Sequence, residues 1–343
     1  MNKCYSLLLL ACLSLQALAA EDGLDVTIQL FTHAARTEAT QGNSPSSPLE
    51  AVQDTETRVL PLYLRYRLEQ SGVFGAVRVL PALDLGAELR ISGEIAQSDG
   101  HKLDLLIKAA DSSGVVWLDQ HFSGAAVPVK VLSEDALAQD DFAGLFGEIV
   151  NALKSRAQQL SEREKATIRN VALLRYGAGL VPAAFTPYLE SSSTTFSVKR
   201  MPSAEDTILT RISAIREREY QFIDVVDEEF RRFYAKAAPL YALWRQAQRE
   251  QEESASARNA EALANAGGFR RGSYQALMQS YNNYRWVKLQ ELYVDELGEG
   301  FSNEINPTQL TLKDSVYRLS GSLEQQYRQW RTILAQLFAL EQQ

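Results

Sequence analysis

Carboxylates are the most abundant groups in this chain that could do chemistry. They cluster as Asp140-Asp141, as Asp224 with Asp227-Glu228-Glu229, and as Glu250, Glu252 and Glu253. A glycoside hydrolase needs two such groups facing one cleft at about 5 to 9 Å. Here the spacing offers another use: Asp227 with Arg231 and Glu228 with Arg232 stand four residues apart, the spacing of solvated ion pairs along a helix. The three histidines, His33, His101 and His121, form no HExxH and no close pair, so the sequence assigns no metal site. His33, between an apolar strand-like run and a polar loop, is the best placed for a functional role. A serine nucleophile needs a sharp, strained turn. Ser92 reads as strand interior and Ser322 as helix interior, and neither fits. No residue is assigned as catalytic and no cofactor motif is present. Gly267-Gly268-Phe269-Arg270-Arg271-Gly272 lacks the strand and the Gly-Lys-Ser/Thr ending of a phosphate loop.

What remains are groups suited to binding. Arg270 and Arg271 sit at a helix–helix turn, as a basic tip that a partner could contact. In Tyr281-Asn282-Asn283-Tyr284-Arg285-Trp286, a helical reading puts Tyr281, Tyr284 and Lys288 on one face and Trp286 on another. Core packing explains the tyrosines. Exposed Trp, Tyr and Arg are also the side chains that dominate interface energetics, so Tyr281, Tyr284, Arg285 and Trp286 are candidate partner contacts.

The amino-terminal stretch bounds the compartment. Met1-Asn2-Lys3, an apolar run from Leu7 to Leu15, and Ala17-Leu18-Ala19 before Ala20-Glu21 have the order of a cleavable secretory signal. The run is shorter than the roughly 20 apolar residues a bilayer crossing needs. Leu9-Leu10-Ala11-Cys12 loosely resembles a lipid-attachment box, which makes Cys12 the candidate lipidation site and membrane attachment through a lipid the alternative. Cleavage after Ala19 removes both cysteines, Cys4 and Cys12, and with them disulfides, thiolate metal sites and a Cys nucleophile. A thiol-free exported protein of this size suits a periplasm. A formal charge of −8 disfavours nucleic acid as the main partner.

The elements that must position these residues fall into two halves. Leu24 to Thr32 alternates as a strand, and Thr37 to Gln53 reads as a flexible loop. Val59, Leu60, Tyr63, Leu64 and Leu68 give a helical stripe ending at Ser71-Gly72, with Pro61 expected in the first turn. Val77 to Leu80, Leu89 to Ala96, Leu103 to Ala109 and Val115 to Phe122 follow as strands, with turns at Ser98-Asp99-Gly100 and Ser112-Ser113-Gly114. From about Ser133 onward the pattern is helical, interrupted by Pro182, Pro187, Ser191 to Thr195 and Pro202. Ile208, Ile212, Ile215, Phe222 and Val226 give a coiled-coil-like seam in which Glu219 occupies one apolar slot. Leu312, Val316, Leu319, Leu323, Tyr327, Trp330, Leu334 and Leu337 repeat the pattern in a last helix. The expected class is α+β: a small mixed sheet with a packed helix, then an elongated antiparallel helical bundle. The expected divisions are a signal at 1–20, a small α/β domain at 21–130, a helical connector at 131–203 and a long-helix bundle at 204–343.

The segment Arg58-Val59-Leu60 through Ser71-Gly72-Val73-Phe74, followed by Ile91-Ser92-Gly93-Glu94-Ile95 and paired strands, resembles the small α/β domain of periplasmic envelope proteins of the TolB amino-terminal and penicillin-binding-protein-activator type. The resemblance covers Leu24 to Gly124. It implies a non-catalytic domain that docks proteins or assembles; apart from the resemblance, a homo-oligomer is kept open as a partner state. No binding residue carries over. The function expected is a non-catalytic scaffold or adaptor for protein partners in the cell envelope. A hydrolase of envelope polymer and a lipid-anchored subunit of an envelope assembly are the alternatives.

Overall fold

The computed structural model describes residues 22–34, 48–81, 84–99, 101–127, 140–192, 194–203, 206–225, 227, 245, 308–312, 315–321 and 323–340. The chain is mixed α/β, built on one mixed six-stranded sheet. Its strands are β1 (Val26–Gln29), β2 (Thr32–His33), β3 (Val77–Leu80), β4 (Leu89–Ser98), β5 (Lys102–Asp111) and β6 (Val116–Ala125). The order across the sheet is β3-β1-β4-β5-β6, with β2 also beside β4. Strands β3, β1 and β4 run parallel; β4, β5 and β6 form an antiparallel meander.

Alternation sets which way each strand faces. Leu89, Ile91 and Ile95 of β4, Leu103, Leu105, Ile107 and Ala109 of β5, and Leu118 and Phe122 of β6 point into one core. Helix α1 (Pro48–Gln70) and helix α2 (Ala143–Gln158) close that core with Leu60, Leu64, Phe146 and Ile149. Strand β1 lies between β3 and β4, and its first three residues are all buried, as expected where both faces are covered. The expected single strand from Leu24 to Thr32 is instead two short strands broken at Leu30 and Phe31. The Phe31 ring there lies over Gly93, where a Cβ would stand 2.7 Å from it.

Helix α1 corrects two expectations. It begins at Pro48, so the last part of the expected Thr37–Gln53 loop is helical, and Pro61 falls in the helix interior rather than its first turn. An interior proline frees the carbonyl four residues back; here that carbonyl, Thr57 O, accepts the Phe31 N–H at 2.9 Å. The helix does stop at Ser71-Gly72, with Gly72 at φ +62°.

The second half is less uniformly helical than the apolar spacing predicts. Helix α3 (Glu162–Leu180) starts at a capping box in which Ser161 and Glu164 bond each other's backbone. A single turn, α4 (Pro182–Phe185), and a hairpin of β7 (Leu189–Ser191) and β8 (Phe196–Val198) follow. Residues 207–225 form helix α5. The last segment is not one helix. Thr308–Leu312 (β9) and Ser315–Leu319 (β10) pair as an antiparallel hairpin, which places Leu312, Val316 and Leu319 on strands; only Leu323–Leu340 (α6) is helical. Thr, Val and Tyr in those two runs favour strands, and Gly321 at φ +96° separates them from α6. Leu174, Tyr176, Phe185, Ile212, Ile215, Phe222, Tyr327, Trp330 and Leu334 form a second core, which reaches the sheet at Leu80. Among the described residues, no helix is long and apolar enough to cross a membrane.

Candidate functional site

Polar side chains concentrate where helices α3 and α5 meet the amino ends of the parallel strands. Asp25 precedes β1, Glu88 precedes β4 and Arg78 is the second residue of β3. With Arg169 of α3 and Arg216 and Tyr220 of α5 they line a cleft of about 340 Å³. Arg78 donates to Asp224 at 2.8 Å and to Asp25 at 3.4 Å, and stacks on the Tyr220 ring at 4.1 Å. From the same ring Arg216 lies at 5.0 Å, and it donates to the Tyr220 hydroxyl at 2.8 Å. Glu88 accepts the Asp25 N–H at 3.0 Å and pairs with Arg216 at 3.7 Å and Arg169 at 3.8 Å.

Burial pushes the Glu88 carboxyl above its usual range, opposed by the Asp25 N–H and by Arg216. Burial works against the Arg78 charge, but the Asp224 hydrogen bond and the Asp224 and Asp25 charges outweigh it and hold Arg78 above its ordinary value. Each guanidinium in this cleft already has a carboxylate, carbonyl or ring. The cleft also stands at the strands' amino ends, whereas open α/β sheets bind ligands outside the carboxyl ends. The arrangement fastens helices to a sheet.

Two further carboxylates do the same at depth. Asp227 is buried, and its Oδ2 accepts Arg65 at 2.7 Å and the Val79 N–H of β3 at 3.4 Å. This corrects the solvated setting expected of Asp227: it is buried, and its described partner is 162 positions away, while Arg231 lies outside the described residues. Burial pushes the Asp227 carboxyl up to about 7, against the pull of Arg65. Burial likewise opposes the Arg65 charge, but there Asp227 and Glu69 prevail and the guanidinium stays charged. Glu219, the acidic residue in the apolar seam, accepts the Tyr176 hydroxyl at 2.5 Å and the Tyr327 hydroxyl at 2.9 Å, with Arg331 at 3.6 Å. It ties α3, α5 and α6 at one buried point, and burial raises its carboxyl despite Arg331. Asp140 is buried too; it accepts the Phe142 N–H at 2.8 Å at the start of α2, and burial raises it to about 6.

The two edges of the sheet are treated differently. On the β3 edge, the end of α5 and the residue just beyond it cover the strand: Asp227 takes the Val79 N–H and Asp224 takes Arg78. The other edge is β6, ten residues long, and among the described residues it pairs with β5 alone. Asp119, Gln120, His121, Ser123 and Ala125 on it are exposed. Val115 and Val116 at its start are 45% and 51% exposed, and Val127 just past its end is 72% exposed. Long bare edges invite strand pairing, and sheets normally blunt them.

Of the residues marked in the sequence, Ser92 sits inside β4 opposite Lys108, as expected. His33 is buried on β2, paired with Ile95, and not exposed at a loop. Helix α6 starts at Leu323, and Ser322 lies outside the described residues, as do Cys12, Arg270, Arg271, Tyr281, Tyr284, Arg285, Trp286, Glu228, Glu229, the Glu250 to Glu253 stretch and the greater part of the Thr37–Gln53 loop. Among the described residues, no three His, Cys, Asp or Glu side chains gather as a metal-holding group. The β6 edge escaped sequence reasoning because alternation identifies a strand but not its place in the sheet; the one local sign was Val115-Val116-Trp117, more apolar than a solvent-facing strand start requires.

No family model matches the chain, and no curated protein matches it. Among solved structures, a PelC dodecamer from Paraburkholderia phytofirmans is 17% identical over 41% of this chain and 94% of that one, with a TM-score of 0.24, too slight a likeness to bear on fold or function.

Proposed function

We propose that this protein is a non-catalytic scaffold of the cell envelope that takes protein partners at the β6 edge of its sheet. The observation that carries this reading is the unequal treatment of the two edges: Asp224 and Asp227 cap β3, whereas among the described residues β6 pairs with β5 alone. An extended segment laid beside β6 gains main-chain hydrogen bonds along the strand, the usual basis of strand addition. Exposed Val115, Val116 and Val127 at its two ends supply apolar footing. The carboxylates a hydrolase would need support this reading rather than the enzyme: Asp140 and Asp227 are buried and hold a helix start and an arginine. The secretory-type amino terminus places the work in the periplasm, with lipid attachment at Cys12 as the alternative. The rest of the chain, as an elongated helical bundle carrying Arg270, Arg271, Tyr281, Tyr284, Arg285 and Trp286, would offer a second contact surface.

The test is site-specific photocrosslinking in intact cells. A photoreactive side chain at His121 or Ser123 should give discrete crosslinked products, and one at Glu162, exposed on α3, should not. Equal yields from both places, or none from β6, would remove the edge as the partner site.

A further inference from the structure

We infer that the β6 edge pairs with the β6 edge of a second copy of this chain, antiparallel about a twofold axis through Gln120. This rests on the reading of β6 as a pairing edge and names its occupant. In one continuous sheet, directly opposed residues share a face, so a strand meeting its own copy can only be centred on a residue, not between two. Three central registers follow. Centring on Asp119 sets two carboxylates against each other and Leu118 against Gln120. Centring on His121 sets imidazole against imidazole and Phe122 against Gln120. Centring on Gln120 opposes Asp119 with His121 and Leu118 with Phe122, and regular pairing ends at the bulge at Trp117, where β6 slips register against β5.

The third register alone satisfies both faces. Leu118 and Phe122 already belong to the core under α1 and α2, so their opposition extends one apolar layer across the axis. On the outer face Asp119 and His121 are both exposed, so each carboxylate stands opposite an imidazole rather than opposite its own copy, and like charges directly opposed are unfavourable. Asp119 also bridges Lys108 of β5 at 3.1 Å. Two ten-residue strands make an interface at the small end of the range, under about 1,200 Å². The dimer should therefore dissociate on dilution.

The experiment uses the full chain with Cys4→Ser and Cys12→Ser, which removes both natural thiols. In that background Gln120→Cys places a thiol opposite its own copy at about 4.5 to 5.5 Å between Cα atoms, within disulfide range. Oxidation should convert most of the Gln120→Cys chain to a covalent dimer. Glu162→Cys on α3 should remain monomeric, and mixing Asp119→Cys with His121→Cys should give the mixed dimer. Sedimentation of the wild-type chain should show a concentration-dependent dimer, shifted toward monomer at least tenfold by Gln120→Lys, which sets two like charges on the axis. Circular dichroism confirms that the Lys variant is folded; the disulfide result stands independently of it. A chain that sediments as monomer throughout, with no more crosslinking at Gln120→Cys than at Glu162→Cys, overturns the self-pairing. If photocrosslinks from His121 to another protein persist in that case, the edge reading survives and only its occupant was wrong.

Discussion

The Phe31 amide donates to the Thr57 carbonyl at 2.9 Å, the one helix carbonyl that Pro61 cannot use. The break between β1 and β2 and the proline in α1 are thus one feature. The helix gives up a hydrogen bond where the neighbouring strand segment has an unpaired amide, and neither group is left unsatisfied.

Replacing an interior helix proline ordinarily recovers about 3 kcal/mol. At Pro61 the carbonyl concerned is already in use, so Pro61→Ala is expected to raise stability by less than about 1 kcal/mol. Equilibrium urea unfolding reads this directly. Amide exchange at Phe31 should also quicken, because the new Ala amide competes for Thr57 O.

Glu219 holds three helices through Tyr176, Tyr327 and Arg331. Truncation to alanine leaves a half-buried arginine and two buried hydroxyls without their acceptor, so Glu219→Ala should cost about 3 kcal/mol. Glu219→Gln keeps the side chain's shape and an acceptor oxygen and should lose less than half as much. Denaturant midpoints of the two variants, compared with Tyr176→Phe and Tyr327→Phe at about 1–2 kcal/mol each, test this ranking.

Asp227 gives the fold a pH dependence with a definite sign. Its folded value is raised to about 7 by burial, above that of an exposed Asp, so between about pH 4 and 7 the folded chain binds the proton that the unfolded chain has lost. This contribution is greatest at the acid end of that window, falls as pH rises, and levels off above 7. The full shift corresponds to about 4 kcal/mol at its limit. Asp227→Asn keeps an acceptor for Arg65 and Val79 without the titration. Its unfolding midpoint, measured at pH 5, 6 and 7.5, should fall less steeply than that of the wild type; equal slopes would count against the assignment.

Gly177 lies inside α3, where exchange to alanine normally gains about 1 kcal/mol. Here a Cβ would stand 2.5–2.7 Å from the Phe185 ring of α4. Gly177→Ala should therefore destabilise by about 1–3 kcal/mol. Adding Phe185→Leu should recover part of that loss, which thermal unfolding of the single and double variants can show.

Sequence periodicity located much of this architecture because the patterns it reads are local. Strands β3 to β6, their two turns and the glycine stop of α1 all follow from alternation, helical spacing and turn residues within a few positions of one another. Glu219 stood out as an acid in an apolar seam, which signalled a buried polar point but not its partners. Leu312, Val316 and Leu319 satisfy helical spacing, and only the pairing between β9 and β10 places them on strands.

What the sequence determined alone is the alternation of β3 to β6 and the glycine stop of α1. The tertiary structure decided which elements meet and therefore what each charge does. Asp227 reads in the sequence as one acid of a solvated helix face, yet the fold buries it against Arg65, 162 positions away, because burial makes a nearby guanidinium and amide necessary there. The same closure covers β3 and leaves β6 at the rim. An edge is a property of the whole sheet, and no stretch of ten residues can carry it.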